Sequence, residues 1–178
     1  MKLQFVPKIL QNIIFMACML VCMMTSCHAS AQTKHSDKEK INQIVNVFMQ
    51  SLAEKDSIKF YNLFYDGDVA WVGRFSEKSH QYNKTRKPDI ANFFVSTYKE
   101  FFRGVYPIKA VEEKFRNVEI IEDGNIASVT FDYSFWMGKQ KQNWGKEFWG
   151  LVKINDEWKI TSVIFSMEYE QVNPEPLK

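Results

Sequence analysis

Apolar residues in this chain change their spacing once, and that change does most to limit the fold. Up to Phe102 most of them recur at the three-and-four spacing of amphipathic helices, and from Ile108 onward they alternate. Helices first and a run of strands after is the pattern of an α+β domain, with helices packed on one face of an antiparallel sheet. Strands this long must twist and curl. The expected architecture is therefore a cone, a curved antiparallel sheet wrapped around N-terminal helices. If its wide end is not filled by side chains, such a cone holds a pocket.

Local signals place the elements. Ser36-x-x-Glu39 is a capping box, and Ile41, Ile44, Val45, Phe48 and Leu52 follow it as one apolar stripe. Asp56 reads as the cap of a shorter helix over 57–64, Asp66-Gly67-Asp68 as a turn, and 69–75 as a strand. Residues 76–87 carry no large apolar side chain except Tyr82 and read as a polar loop with Lys78, His80, Lys84, Arg86 and Lys87. Pro88 suits the first position of a second long helix, with Ile90, Phe93, Phe94, Thr97, Tyr98, Phe101 and Phe102 inward and Gly104 as its stop. Strands are then expected over 108–121, with Glu112-Glu113-Lys114 at an exposed edge, from Ala127 to Met137, over 142–154 and over 157–169. Asp123-Gly124 and Asn155-Asp156 mark the turns between them. The domain is expected to span 36–170, followed by a flexible tail over 171–178.

The first 31 residues read as a targeting segment. Lys2 and Lys8 precede an apolar run of twelve residues from Ile13 to Met24, a length that suits a secretory signal and falls short of a bilayer span. Two processing routes remain open. Ala29-Ser30-Ala31 is a small-x-small cleavage site, and Met24-Thr25-Ser26-Cys27 is similar to a bacterial lipobox, with Met24 where Leu is usual. The second route is favoured; it would lipidate Cys27 and leave residues 33–38 as a tether. The protein is then expected in the cell envelope, touching the membrane only through that lipid. All three cysteines fall in this segment, so the domain itself uses no disulfide, cysteine nucleophile or thiolate metal site. Removing residues 1–26 takes two of the 23 basic residues and none of the 21 acidic ones. The remaining balance is neutral, without the basic excess of a nucleic-acid binder.

Three stretches resemble the NTF2-like superfamily, and within it the secreted SnoaL-type and uncharacterised-domain branches. Leu52-Ala53-Glu54-Lys55-Asp56-Ser57-Ile58 with residues 60–72 is similar to the family's helix-to-strand passage. Asp123-Gly124-Asn125-Ile126-Ala127 resembles its strand turn, and Trp158-Lys159-Ile160 through Ser166 its closing strand. The resemblance implies the same cone. Steroid isomerases of this family combine a helix tyrosine, a carboxylate base after the first strand and a protonated aspartate on a later strand. Those positions fall here on Phe48, on Val72 or Gly73, and on Gly150. None of these side chains exchanges a proton, so that chemistry is disfavoured. The dehydratase and cyclase branches rely on His–Asp pairs, and His80 is the one histidine of the domain.

Each remaining candidate has a plain alternative. His80 lies in a polar stretch and reads as solvated surface. Asp66 and Asp68 read as turn residues bonding their own backbone. Tyr133 lies on the apolar face of the most regular strand, and its hydroxyl either meets a ligand or donates to a backbone carbonyl. It is the one weak catalytic candidate. Phe48, Trp71, Phe94, Phe131, Tyr133, Phe148 and Phe165 form the expected apolar ligand cage. By strand parity Glu147 shares a face with Trp149 and Leu151, opposite Phe148, Gly150 and Val152. With the second set lining the cone, Glu147 lies outside it. Trp149 and Leu151 with Trp136 would then be an apolar outer face through which family members commonly dimerise. No cofactor and no metal site is expected. The leading expectation is a non-enzymatic module, a homodimer binding a small hydrophobic or aromatic molecule. The alternatives are an isomerase, dehydratase or cyclase acting through Tyr133, and an interaction scaffold with a filled cone.

Overall fold

The computed structural model describes residues 36–176. The targeting segment, the lipobox and Cys27 lie outside the described residues. Helix α1 (Asp37–Glu54) opens on the expected capping box: Glu39 N–H donates to Ser36 Oγ at 3.3 Å, and Ser36 N–H to Glu39 Oε2 at 2.8 Å. It ends at Lys55, whose backbone is left-handed at φ 60°. The Lys55 ammonium then donates to Val105 O at 2.8 Å. Asp37 works beyond its own helix: Trp158 Nε1–H donates to it at 2.9 Å and Lys153 pairs with it at 3.0 Å. One surface residue thus pins the start of α1 to the last hairpin. Helix α2 (Ser57–Tyr61) is capped by Asp56, which accepts from Lys59 N–H at 2.9 Å.

Between α2 and the long strands the structure departs from the sequence reading. Strand β1 (Ala70–Phe75) is followed by helix α3 (Glu77–Lys84) in place of a loop. This helix docks through hydroxyls, which explains why it shows no apolar stripe. Ser79 is fully buried; its hydroxyl donates to Glu168 Oε1 at 2.6 Å and accepts from Tyr169 N–H at 2.7 Å. The expected helix from Pro88 to Gly104 is two elements, strand β2 (Phe93–Val95) and helix α4 (Tyr98–Val105). The break falls at Thr97, which forms a capping box of its own with Glu100. The residues before it are taken by β1, with Gly73 paired to Phe94.

Strands β3 (Val111–Glu122), β4 (Ile126–Met137), β5 (Gln140–Ile154) and β6 (Glu157–Tyr169) complete one sheet of six, in the order β2-β1-β6-β5-β4-β3. All pairs are antiparallel except β1 with β6. Asn155 and Asp156 at φ 49° and 65° make the tight turn between β5 and β6 that a two-residue hairpin loop requires. Register shifts at Arg116/Glu119 on β3 and at Gly150/Leu151 on β5 bend the sheet, as bulges do. The sheet is curved and unclosed, with α1 held against its concave face.

That face carries the core. From β4 come Ala127, Val129, Phe131, Tyr133 and Phe135, matching the alternation read from the sequence. From β5 come Glu147, Trp149 and Leu151, which corrects the expected orientation of this strand. The parity was right and the face was inverted. Trp149 fills the space against Phe48 of α1, ring centroids 4.9 Å apart, which the smaller set Phe148, Gly150 and Val152 would leave empty. Trp149 and Leu151 are therefore core residues and not an outer interface. Trp136 does face outward, beneath Lys114 and Lys141, whose ammonium groups lie 4.5 and 5.4 Å from its ring centre.

The described part of the tail, up to residue 176, is tied down where flexibility was expected. Glu175 pairs with Arg116 and with Lys141, the latter at 2.9 Å, and Asn173 O accepts from Trp144 Nε1–H at 2.9 Å.

Candidate functional site

Between the helices and the concave sheet face lies a cavity of about 360 Å³. Its walls are mainly aromatic. Phe48 of α1, Trp71 of β1, Phe94 of β2, Tyr133 of β4 and Phe165 of β6 all line it, so five of the seven expected cage residues come together. Trp71 and Phe165 stand 6.2 Å apart and Phe94 and Phe165 5.8 Å, both edge to face. The other two do not join them. Phe131 lies deeper, wedged between Phe115 at 4.1 Å and Trp149 at 5.0 Å. Phe148 is on the opposite sheet face, 44% exposed and paired with Ile164.

The polar content of the cavity was missed by the sequence reading. Glu113 of β3 and Glu147 of β5 both point into it and are only 7% and 4% exposed. Glu147 Oε1 accepts from Trp149 Nε1–H at 2.6 Å. Glu113 Oε2 is buried and meets no donor among the described residues. Taking a carboxylate out of water disfavours its charged form. Burial lifts the Glu147 carboxyl to about 7, against the pull of the Trp149 bond. Burial together with the nearby Glu147 charge holds Glu113 well above the usual carboxylate range. The sequence carries one signal for both acids: each alternates with large apolar residues, Val111 and Phe115 around Glu113, Trp149 and Leu151 beyond Glu147. The edge assignment of 112–114 held for the strand, since β3 ends the sheet, but not for the Glu113 side chain.

Tyr133 gives its proton to the protein. Its hydroxyl donates to Ser166 O at 3.0 Å, and burial, with both glutamates nearby, raises its pKa well above 10. A Cβ on Gly145, its cross-strand partner, would strike that same carbonyl, so glycine here lets β6 approach. Outside the cavity, His80 Nε2 lies 3.0 Å from Ile90 O.

No protein-family model matches the sequence, and no curated protein matches it. Solved structures do. An NTF2-like protein of unknown function from Pseudomonas putida superposes with a TM-score of 0.56 at 12% identity, covering 78% of this chain and 92% of that one. An NTF2-like protein from Cytophaga hutchinsonii gives 0.56 at 11% identity, over 75% of this chain and 100% of the other. A Novosphingobium aromaticivorans protein provisionally assigned as a scytalone dehydratase gives 0.54 at 14%, over 79% and 89%. The fold is NTF2-like.

Within this NTF2-like cone the steroid-isomerase positions carry no acid. Phe48 lines the cavity without a polar group, Val72 points away from it, and Gly150 lies on the outer face. The inward acid of β5 is Glu147, three residues away and of opposite parity. Gly73 has a different task. A Cβ there would strike the Phe94 ring and come within 2.9 Å of Phe165. Gly73→Ala is expected to push these two rings into the cavity, costing about 1–3 kcal/mol of stability as overpacking does. A thermal melt reads that cost, and any probe that binds the native cavity should lose at least about tenfold in affinity.

Proposed function

We propose that this protein is a small-molecule binding module, holding a compact and largely apolar ligand in the cavity of its NTF2-like cone. The observation that carries the reading is the lining: seven aromatic side chains from six elements around about 360 Å³, with two buried carboxyls among them. A filled scaffold has no need to bury two acids beside an open space, because each costs free energy unless a partner offsets it. Ligand sites typically combine apolar walls with a few polar groups in this way. The export signal read from residues 1–31 would put the pocket in the cell envelope.

Native mass spectrometry of the protein, purified gently from cells that make it, tests the reading. A reproducible extra mass of small-molecule size is the expected result. A bare protein that also fails to bind small aromatic probes at millimolar concentration would overturn it.

A second reading, an acid–base enzyme of the isomerase, dehydratase or cyclase kind, has one observation in its favour. A carboxyl lifted to about 7 can both give and take a proton near neutral pH. Under that reading Glu147→Gln abolishes turnover of the co-purified molecule while leaving it bound. Unchanged turnover would rule Glu147 out as the acid–base group.

A further inference from the structure

The charged residues that line the cavity are of one sign. Glu113 and Glu147 reach it from β3 and β5, Glu100 stands near its mouth on α4, and no Lys, Arg or His is among the described residues that line it. Its other titratable group, Tyr133, already donates to Ser166 O. From α1, β1, β2 and β6 the lining side chains are Phe48, Trp71, Phe94, Phe165 and Met167, and the neutral polar lining residues besides Tyr133 are Asn143 and Ser96, whose hydroxyl donates to Glu100 Oε2 at 3.0 Å.

This is a costly arrangement to bury. Each carboxyl costs free energy to bury, and the cost grows when the two lie close enough for one charge to act on the other. Glu147 has Trp149 as one partner. Glu113 Oε2 has none among the described residues, although it is more than nine-tenths buried. A buried acceptor of this kind is expensive unless a donor reaches it. A donor that relieves both acids in their charged form carries positive charge as well as N–H groups. Aromatic faces around it point the same way, since their negative faces attract a desolvated cation.

We propose, building on the pocket reading above, that the ligand is a protonated amine: an aromatic-sized apolar body bearing one ammonium group that donates to Glu113 and Glu147. The body packs among Trp71, Phe94 and Phe165, and the ammonium replaces the missing donor at Glu113 Oε2. A bare metal ion fits less well. Hard cations take six or more oxygen ligands, and among the described residues no group of three or more His, Cys, Asp or Glu could hold one.

The test uses the full chain and two sets of probes matched in shape: benzylamine, benzyl alcohol and benzoate, then 2-naphthylmethylamine, 2-naphthylmethanol and 2-naphthoate. Affinities are measured by calorimetry at pH 7.5, where both amines are protonated. In at least one set the amine is expected to bind tenfold or more tighter than the alcohol, and the carboxylate not to bind. Glu113→Gln should erase that advantage while leaving the alcohol's affinity within about twofold, which a merely structural role for Glu113 would not do. An alcohol or carboxylate that binds as well as its amine in both sets overturns the ammonium assignment and leaves the pocket reading standing. No binding by any of the six overturns the ammonium assignment, and together with a bare protein in native mass spectrometry it overturns the pocket reading as well. If Glu113→Gln does not fold, the comparison among probes on the unaltered protein still decides.

Discussion

Trp149→Ala is expected to cost about 3–5 kcal/mol, the range for truncating a fully buried large aromatic side chain. A domain of this kind has about 5–15 kcal/mol in all, so the variant should be marginally folded. Trp149 is completely buried and touches three rings, Phe48 at 4.9 Å, Phe131 at 5.0 Å and Phe115 at 5.7 Å. Those rings come from α1, β4 and β3, so the loss is felt between helix and sheet and not within one strand. The void could not close without moving α1, which Asp37 and Lys55 hold at both ends. Phe148→Ala, one residue away and facing solvent, should change stability by less than about 1 kcal/mol. Urea denaturation of the two variants side by side checks the pair. Similar losses in both would show that β5 does not present the face described.

Trp149→Phe separates packing from polarity at the same position. Phenylalanine keeps most of the ring but removes the indole N–H that donates to Glu147 Oε1. Glu147 would then be a second buried acid without a donor, a penalty of about 1–3 kcal/mol. Its carboxyl should rise further, because that bond is the one influence that lowers it.

Much of the fold was legible because local signals agreed with one another. The capping box at Ser36, the cap at Asp56, the alternation from Ala127 to Phe135 and the Asn155-Asp156 turn each appear where the sequence placed them. Helix α3 was not legible, because it is anchored by the Ser79 hydroxyl on Glu168, and hydroxyl docking leaves no apolar period. The region 88–104 was misread for the opposite reason. Its phenylalanines suit a helical stripe, but Phe93–Val95 pairs with β1, and a long-range partner overrides local spacing. The site divides in the same manner. Trp71, Tyr133 and Phe165 follow from strand patterning, whereas the acids do not: Glu113 reads as part of an exposed edge, and Glu147 falls outside once the Phe148 face is taken as the lining. What places Glu113 and Glu147 inside is their register beside residues that must be buried.

Stability is expected to fall as pH rises from about 4.5 to 7, opposite to the usual behaviour of a domain held by surface carboxylates. Glu147 has an ordinary value of 4.5 when unfolded and about 7 when folded. Between those values the folded state keeps a proton that the unfolded state has released, so each rise in pH favours unfolding. The contribution is fully present below about 4.5 and fully lost above about 7. A difference of this size corresponds to about 3 kcal/mol, at 1.36 kcal/mol for each pH unit. Because Glu113 is raised as well, its loss comes in the same direction and extends the fall. On the acid side, Asp37, Asp56 and Asp123 are held below their ordinary value by hydrogen bonds from Trp158, from the Lys59 backbone and from the Ile126 backbone. Their contribution is present above about 4 and is lost as pH falls through their lowered values. Stability should therefore peak on the acidic side of neutrality. Glu147→Gln keeps the acceptor for Trp149 and removes the titration, so its denaturation midpoints at pH 5 and pH 8 should differ much less than those of the unaltered protein. If the unaltered protein gains stability from pH 5 to pH 8, then Glu147 is charged and satisfied in the folded state, and the buried acids are not the strained pair that an ammonium ligand would relieve.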